Sequence, residues 1–252
     1  MPLSRAEEAR AALIELFPNG FEEVARGDEV ELAVYTDGKG EERLRLALGP
    51  GEAVPVAPGW EDAWREFHRP VRIGPFWVGP PWERPDAGAF PVVIDPGRAF
   101  GTGGHPTTRL CLALLLERPR TSVVDLGCGS GVLAIAAARL GFAPVIALDS
   151  DEAAVEATER NAAANGVRVE VRPANVLHDV LPEAGLALAN IALPIVERLA
   201  PHVRAGGLIT SGYFAAAQPR LSGWEAVERR EAEGWAADLF ARGRSGPGAG
   251  VG

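Results

Sequence analysis

Two cysteines, a single lysine and no long apolar run set the first limits on this 252-residue chain. Cys111 and Cys128 are too few and too far apart for a disulfide framework or a zinc site, so a reducing compartment and no metal are expected. No stretch reaches the ~18 consecutive apolar residues of a membrane span. The start, Ser4-Arg5-Ala6-Glu7-Glu8, is polar and charged, unlike a signal peptide. A cytoplasmic protein with no membrane partner is the expectation. Basic charge is scarce too: 25 Lys and Arg, with Lys39 the sole lysine, face 34 Asp and Glu for a net charge of −9. A broad phosphate-binding footprint needs clustered Lys and Arg, so no direct nucleic-acid binding is expected. An acidic surface suits a small molecule or a basic protein partner, and it equally serves solubility alone.

What is present is enough apolar sequence (47%) to fold one large domain, or a main domain with a small companion. Residues 3–16 have helical spacing, with Pro18-Asn19-Gly20 as the stop. Val30 to Tyr35 alternates as a half-buried strand does, Asp37-Gly38-Lys39-Gly40 reads as a turn, and Leu44-Arg45-Leu46 as the start of the next element. Residues 1–55 thus form a small α/β module. Residues 56–69 make a linker and short helix, with Trp60 and Trp64 on one face. Proline-rich residues 70–96 favour strands and turns.

From about residue 105 strands and helices alternate. Helices are expected at His105–Leu116, Val132–Leu140, Glu152–Asn165 and Leu193–Val203. Strands are expected at Ser122–Leu126, Pro144–Leu148, Val167–Arg172, Leu186–Ala189 and Leu208–Ser211, with two more near 225–230 and 235–241. That rhythm implies an α/β fold with a parallel sheet covered on both faces. The main domain spans residues 70–242, and the Gly-rich residues 243–252 read as a flexible tail.

The segment Asp125-Leu126-Gly127-Cys128-Gly129-Ser130-Gly131 joins a strand to a helix. Glycines at alternate positions let a backbone turn sharply and approach a ligand. Ligands of open α/β sheets bind outside the carboxyl ends of the strands. About one strand later, Asp149 can accept hydrogen bonds from two ribose hydroxyls, so the pair points to an adenosine-containing cofactor. Gly129-Ser130-Gly131-Val132-Leu133-Ala134 also fits the dinucleotide pattern, which keeps a nicotinamide-dependent oxidoreductase open. Asp125 tilts the choice: a carboxylate there can face the positive part of S-adenosylmethionine but would repel a pyrophosphate. Upstream, Phe100-Gly101-Thr102-Gly103-Gly104-His105-Pro106-Thr107-Thr108 precedes a helix and reads as a candidate lid.

At these residues the chain resembles the ribosomal protein L11 methyltransferase family (PrmA). The resemblance is carried by Asp95 to Thr108, the glycine loop, Ala147-Leu148-Asp149-Ser150-Asp151, Asn161 to Val167, Ala189-Asn190-Ile191-Ala192 and Gly206 to Gly212. Trp60, Trp64 and Pro80-Pro81-Trp82 resemble it as well, so the likeness covers roughly residues 58–242. It implies a class I methyltransferase fold: a Rossmann-like, seven-stranded, mostly parallel sheet with one antiparallel strand. It implies S-adenosylmethionine as cofactor and amino groups of ribosomal protein L11 as acceptors, for a chain expected to act as a monomer. By the same resemblance Thr108, Gly127, Asp149 and Asn190 bind the cofactor, with Phe100, His105 and Gly129 nearby. Asn190 is the expected catalytic residue, offering its amide oxygen to the acceptor amine or to the cofactor's amino group, and His105 is a candidate general base. A methyltransferase for another protein lysine or a small amine, and a catalytically silent binding protein, are the remaining alternatives.

Two departures bear on the acceptor. The family usually opens with an additional strand, so the N-terminal α/β module here reads as shortened. Ser211-Gly212-Tyr213-Phe214 stands where Ser-Gly-Ile-Leu is more usual, which places Tyr213 as a candidate for altering the acceptor pocket.

Overall fold

The computed structural model describes residues 9–10, 12–13, 16–17, 22–26, 29–34, 36, 38–54, 69–95, 101 and 103–243. It divides into two units, Met1–Trp64 and Arg65–Gly252. In the first, β1 (Glu22–Arg26) pairs antiparallel with β2 (Glu29–Ala33), and α1 (Gly38–Leu48) follows. Of the turn expected at residues 37–40, the described Gly38, Lys39 and Gly40 are instead the opening of this helix. Glu41, Arg43, Leu44, Arg45, Leu46, Ala47 and Leu48 are strong helix formers, and Arg45 meets Glu41 one turn back at 2.6 Å, which outweighs two early glycines. Gly49, at φ +88°, ends the helix by donating to the Arg45 carbonyl. Of the helix expected over 3–16, Ala9, Arg10, Ala12, Leu13 and Leu16 are described and helical. The helix expected at Trp60 to Phe67 lies outside the described residues, as does the tail beyond residue 243.

The second unit opens with a three-stranded sheet: β3 (Val71–Ile73) antiparallel to β4 (Phe76–Gly79), and β4 parallel to β5 (Phe90–Val93). There follow α2 (Pro106–Leu116), β6 (Val123–Leu126), α3 (Val132–Arg139), β7 (Val145–Asp149), α4 (Glu152–Ala164), β8 (Glu170–Pro173), β9 (Ala184–Asn190), α5 (Leu193–Leu199) with a 3₁₀ turn (Ala200–His202), β10 (Ala205–Phe214), β11 (Trp224–Ala232) and β12 (Trp235–Arg242). Seven strands form one sheet in the order β11-β12-β10-β9-β6-β7-β8. All pairings are parallel except those of β12, which runs against both neighbours. The seven-stranded, mostly parallel sheet expected of the family is therefore present.

Successive residues along the central strands supply opposite faces, as a two-residue period demands. Val123, Val145, Ala147, Leu186, Leu188 and Ile209 join one core with α2, α3 and the three-stranded sheet. Val124, Leu126, Leu148, Ala187, Ala189 and Leu208 join the other with Val196 and Leu199 of α5. Strands buried on both faces are apolar throughout, which is why Val123-Val124-x-Leu126 and Leu186 to Ala189 carry no alternation. Strand β8 begins at Glu170, three residues later than expected, because the chain from Gly166, at φ +62°, to Val169 runs out of α4 without pairing. No helix among the described residues is long and apolar enough to cross a membrane.

Candidate functional site

Strand order reverses between β6 and β9. From β6 the chain moves outward to β7 and β8, then returns to pair β9 on the other side of β6. The crevice at the carboxyl ends of these two strands is where such sheets bind ligands. It is lined from one side by the glycine loop after β6 and from the other by Asn190, the last residue of β9.

The loop takes its shape from three left-handed glycines: Gly127 (φ +80°), Gly129 (+55°) and Gly131 (+81°). The Gly127 and Cys128 N–H groups donate to the Leu148 carbonyl at 2.8 and 3.0 Å, stapling the loop to the end of β7. A Cβ on Gly127 would stand 2.8 Å from Ile191 Cγ2, and one on Gly131 2.7 Å from Thr158 Cγ2. The side chain of Asp149 closes the arrangement. Its Oδ2 accepts the Gly129 N–H and its Oδ1 the Asp151 N–H, each at 3.0 Å. Each carboxylate oxygen keeps a further lone pair for a ligand hydroxyl.

Asp125 stands at the expected strand end, but its side chain is buried. It is 1% exposed, and its Oδ2 accepts the N–H of Ala134 in the first turn of α3, at 3.1 Å. The helix has no side-chain cap of its own, so this carboxylate serves as one from the strand below. The side chain thus supports the loop from within and does not present itself to a ligand from the surface. Its Oδ1 is buried without a hydrogen-bond partner. Burial pushes its pKa up to about 7, against the pull of the Ala134 N–H and aided by the nearby charge of Asp149.

On the facing side, Asn190 Nδ2 donates to Thr108 Oγ1 at 3.3 Å, which leaves the amide oxygen to accept. Thr108 is fully buried in α2. His105 is the N-cap of that helix: Nδ1 accepts the Thr107 N–H at 3.3 Å and lies 2.8 Å from Thr107 Oγ1. Nδ1 is thus engaged in capping the helix, which accounts for the residue without a general-base role. The ring also meets Trp235 edge-on at 4.7 Å, and Trp235 stacks on Phe214 at 4.4 Å. Phe214 ends β10 and Trp235 begins β12, so this aromatic row stands at the same carboxyl edge as Asn190.

Gly101 and Gly103, at φ +103° and +92°, carry the upstream segment against the loop, where Ser130 Oγ donates to the Gly101 carbonyl. Phe100 lies outside the described residues. Tyr213 does not line the crevice. It is 4% exposed, and its hydroxyl donates to Asp238 Oδ2 at 2.8 Å within the sheet. Cys128 is a packing residue that accepts from Thr158 Oγ1 at 3.3 Å, and Glu152, Glu156 and Glu159 form the exposed face of α4, both as expected. Among the described residues no group of His, Cys, Asp and Glu could hold a metal ion.

One group escaped the sequence reading. Thr158, Asn161 and Asn165 line one face of α4 and are all buried. Thr158 Oγ1 donates to the Gly129 carbonyl and Asn161 Nδ2 to that of Ser130, both at 2.9 Å. Asn161 Oδ1 accepts the Asp95 N–H at 3.0 Å, and Asn165 Oδ1 the Val93 N–H at 2.9 Å. The helix thereby clamps the glycine loop to the end of β5. The signal was available: three hydrogen-bonding residues at spacings of three and four, on the side opposite the glutamates.

Comparison with known proteins agrees with this arrangement. The profile of the family described as ribosomal protein L11 methyltransferase (PrmA) matches residues 56–241. A ribosomal protein L11 methyltransferase of Symbiobacterium thermophilum is 38% identical over 229 residues, covering 79% of this chain and 75% of the relative. One from Pelotomaculum thermopropionicum is 43% identical over 183 residues, covering 68% and 59%. The chain thus spans about three quarters of the first relative and less than two thirds of the second. A crystal structure of a ribosomal protein L11 methylase from Lactobacillus delbrueckii subsp. bulgaricus superimposes with a TM-score of 0.62 at 30% identity, covering 70% of this chain and all of that one.

Proposed function

The chain belongs to the ribosomal protein L11 methyltransferase family and is a methyltransferase, and from that premise we propose that its donor is S-adenosylmethionine and its acceptors are amino groups of ribosomal protein L11. The observation that carries the reading is the crevice at the strand reversal, with Asp149 and the glycine loop on one wall and the Asn190–Thr108 pair on the other.

The residues present fit the donor. Asp149 offers lone pairs to two ribose hydroxyls at the rim of the loop. The Gly127 backbone lies so close to Ile191 that a Cβ there would clash, so the loop meets the crevice as bare backbone that a ligand can approach. The buried, unpartnered Oδ1 of Asp125 favours a positive charge placed nearby and disfavours a pyrophosphate, which weighs against a nicotinamide cofactor. When bound, S-adenosylmethionine supplies a methyl group already activated by a sulfonium. The protein's work is then alignment and exclusion of water. Asn190, its Nδ2 held by Thr108, directs Oδ1 to accept an N–H from the acceptor amine and so points the nitrogen lone pair. A dry crevice lowers the amine's pKa and favours the neutral, nucleophilic form. The His105–Trp235–Phe214 row offers an apolar and cation-attracting wall for an alkylammonium side chain. The net charge of −9 suits a basic protein partner.

Two measurements test the reading. Calorimetric titration with S-adenosylmethionine and separately with NAD is expected to show binding of the first only; binding of NAD alone would sink it. Incubation with S-adenosylmethionine and purified ribosomal protein L11 should add mass in steps of one methyl group. Cofactor binding without any such step would move the acceptor to another protein or a small amine.

A further inference from the structure

A chain of polar side chains, buried at Asp238, Tyr213 and Thr210, crosses β11, β12 and β10 and ends at the site. Arg229 on β11 donates from Nη1 to both oxygens of Asp238 on β12, at 3.3 and 3.0 Å. Its Nη2 donates to the carbonyls of Ala215 and Ala217, at 2.6 and 2.9 Å, in the segment leaving β10. Asp238, 4% exposed, also accepts the Tyr213 hydroxyl, which lies 2.6 Å from Thr210 Oγ1. Tyr213 and Thr210 stand on either side of an irregularity in β10, where the register against β12 shifts between Ser211 and Tyr213. On the near side of the shift, Ser211 Oγ donates to the Ala236 carbonyl at 2.6 Å. Both shoulders of the bulge are therefore pinned to β12.

The residue inside the bulge is Gly212, at φ +100°. A Cβ there would stand 2.4 Å from the Ile191 carbonyl oxygen and 2.6 Å from its carbon. The Ile191 N–H in turn donates to the Ser211 carbonyl at 3.1 Å. The bulge thus presses, with no slack, on the peptide that directly follows Asn190. Bulges next to active sites commonly re-aim a side chain. Asp238 is buried while Arg229 is partly exposed; a pair with a desolvated member adds little net stability, and its attested use is to fix one arrangement among several.

We propose that Tyr213, held by Asp238 and Arg229, is a positioning residue for Asn190: it fixes the β10 bulge, and through Gly212 and Ile191 the bulge sets the angle at which Asn190 meets Thr108 and the acceptor. The effect on turnover rests on the reading of Asn190 given above; the effect on Asn190 itself does not.

The test uses the whole chain. The side-chain amide of Asn190 is observed by nitrogen–proton NMR, identified by its disappearance in Asn190→Asp. In Tyr213→Phe this signal should shift or split, while the backbone amide of Gly129 stays in place. Turnover with S-adenosylmethionine and ribosomal protein L11 should fall about tenfold, with acceptor KM and cofactor Kd changed by less than about twofold. A purely structural role would lower the melting temperature without that split between kcat and KM. Should Tyr213→Phe not fold, Asp238→Asn removes the anchor from the other end and should give the same pattern. An Asn190 signal that stays unmoved in a folded variant overturns the proposal. A signal that moves with turnover unchanged leaves the positioning intact and overturns the role of Asn190 in the reaction.

Discussion

Asp149 accepts the backbone N–H of Gly129 at 3.0 Å, twenty residues away in sequence, so the residue proposed to read a ribose also holds the loop beneath it. On that proposal recognition and loop shape share one carboxylate.

Asp149→Asn should therefore weaken S-adenosylmethionine binding twice over, by removing a charged acceptor and by loosening Gly129. Hydrogen bonds to a charged group are worth about 1.5–3 kcal/mol, so calorimetry should show a loss of roughly tenfold to a hundredfold in affinity. Affinity within error of the parent protein would remove Asp149 from the cofactor site.

Gly127→Ala should cost stability and cofactor affinity together. An L-residue in the left-handed region is strained by about 1–2 kcal/mol, and the added Cβ would meet Ile191 Cγ2 at 2.8 Å. Denaturant unfolding measures the first effect and titration the second. A variant that unfolds at lower denaturant yet binds normally would mean that the Gly127 backbone is not part of the crevice.

For His105 the cap predicts a distinctive result. Asparagine is a good N-cap, so His105→Asn should keep thermal stability and cofactor affinity, whereas His105→Ala should lose about 1 kcal/mol. The acceptor KM should rise in both as the ring leaves Trp235. The shape of the kcat–pH profile should stay as in the parent; loss of a limb near the ordinary imidazole range would restore the general base.

Asp125 links stability to pH. Its folded pKa, near 7, lies above the ordinary carboxylate value of 3.8, so the native state binds the proton more tightly than the unfolded chain. The stability this contributes is complete below about pH 4 and is lost as pH rises to about 7. Urea midpoints of the protein and of Asp125→Asn, compared across that range, should converge or cross by this amount. A positive ligand nearby lowers the pKa, so S-adenosylmethionine binding near pH 7 should release protons, visible as a buffer-dependent heat. Parallel pH curves for the two proteins would place the ionisation elsewhere.

Asn161→Leu strips the Ser130 carbonyl and the Asp95 N–H of partners at one stroke. Each buried group left unsatisfied costs about 1–3 kcal/mol, so unfolding should shift well beyond the effect of a surface substitution. An unchanged midpoint would mean that water replaces the amide.

Much of this site could be read from the sequence because it is written in local chemistry. Glycines at 127, 129 and 131 announce positive φ, and apolar runs ending at Leu126 and Leu148 place Asp149 at a strand end. Asn190 needed the family resemblance, since an asparagine after Leu188-Ala189 is otherwise an ordinary strand-end residue. What escaped depends on contacts between distant segments. Thr158, Asn161 and Asn165 share a helical face opposite the glutamates, but that spacing does not say which segments the face meets. The opposite error befell Tyr213. Its position beside motif residues suggested contact with the acceptor, yet its side chain turns into the interior, as does that of Asp125, which reaches a ligand only through its charge. In α1 the glycines at 38 and 40 misled, because a turn signal was weighed without the eight helix-compatible residues that follow.

The clamp made by α4 has a consequence for where this catalytic unit can be cut. Asn161 and Asn165 reach back to the backbone of Asp95 and Val93, so the half that carries the glycine loop is stitched to the end of the three-stranded sheet that precedes it. A minimal fragment starting at residue 103 would keep every strand of the seven-stranded sheet. It would nevertheless strand two buried amides and open the apolar surface that Phe76, Val78, Val92 and Ile94 now cover. The portable module, for grafting or shuffling among relatives, begins ahead of Val71.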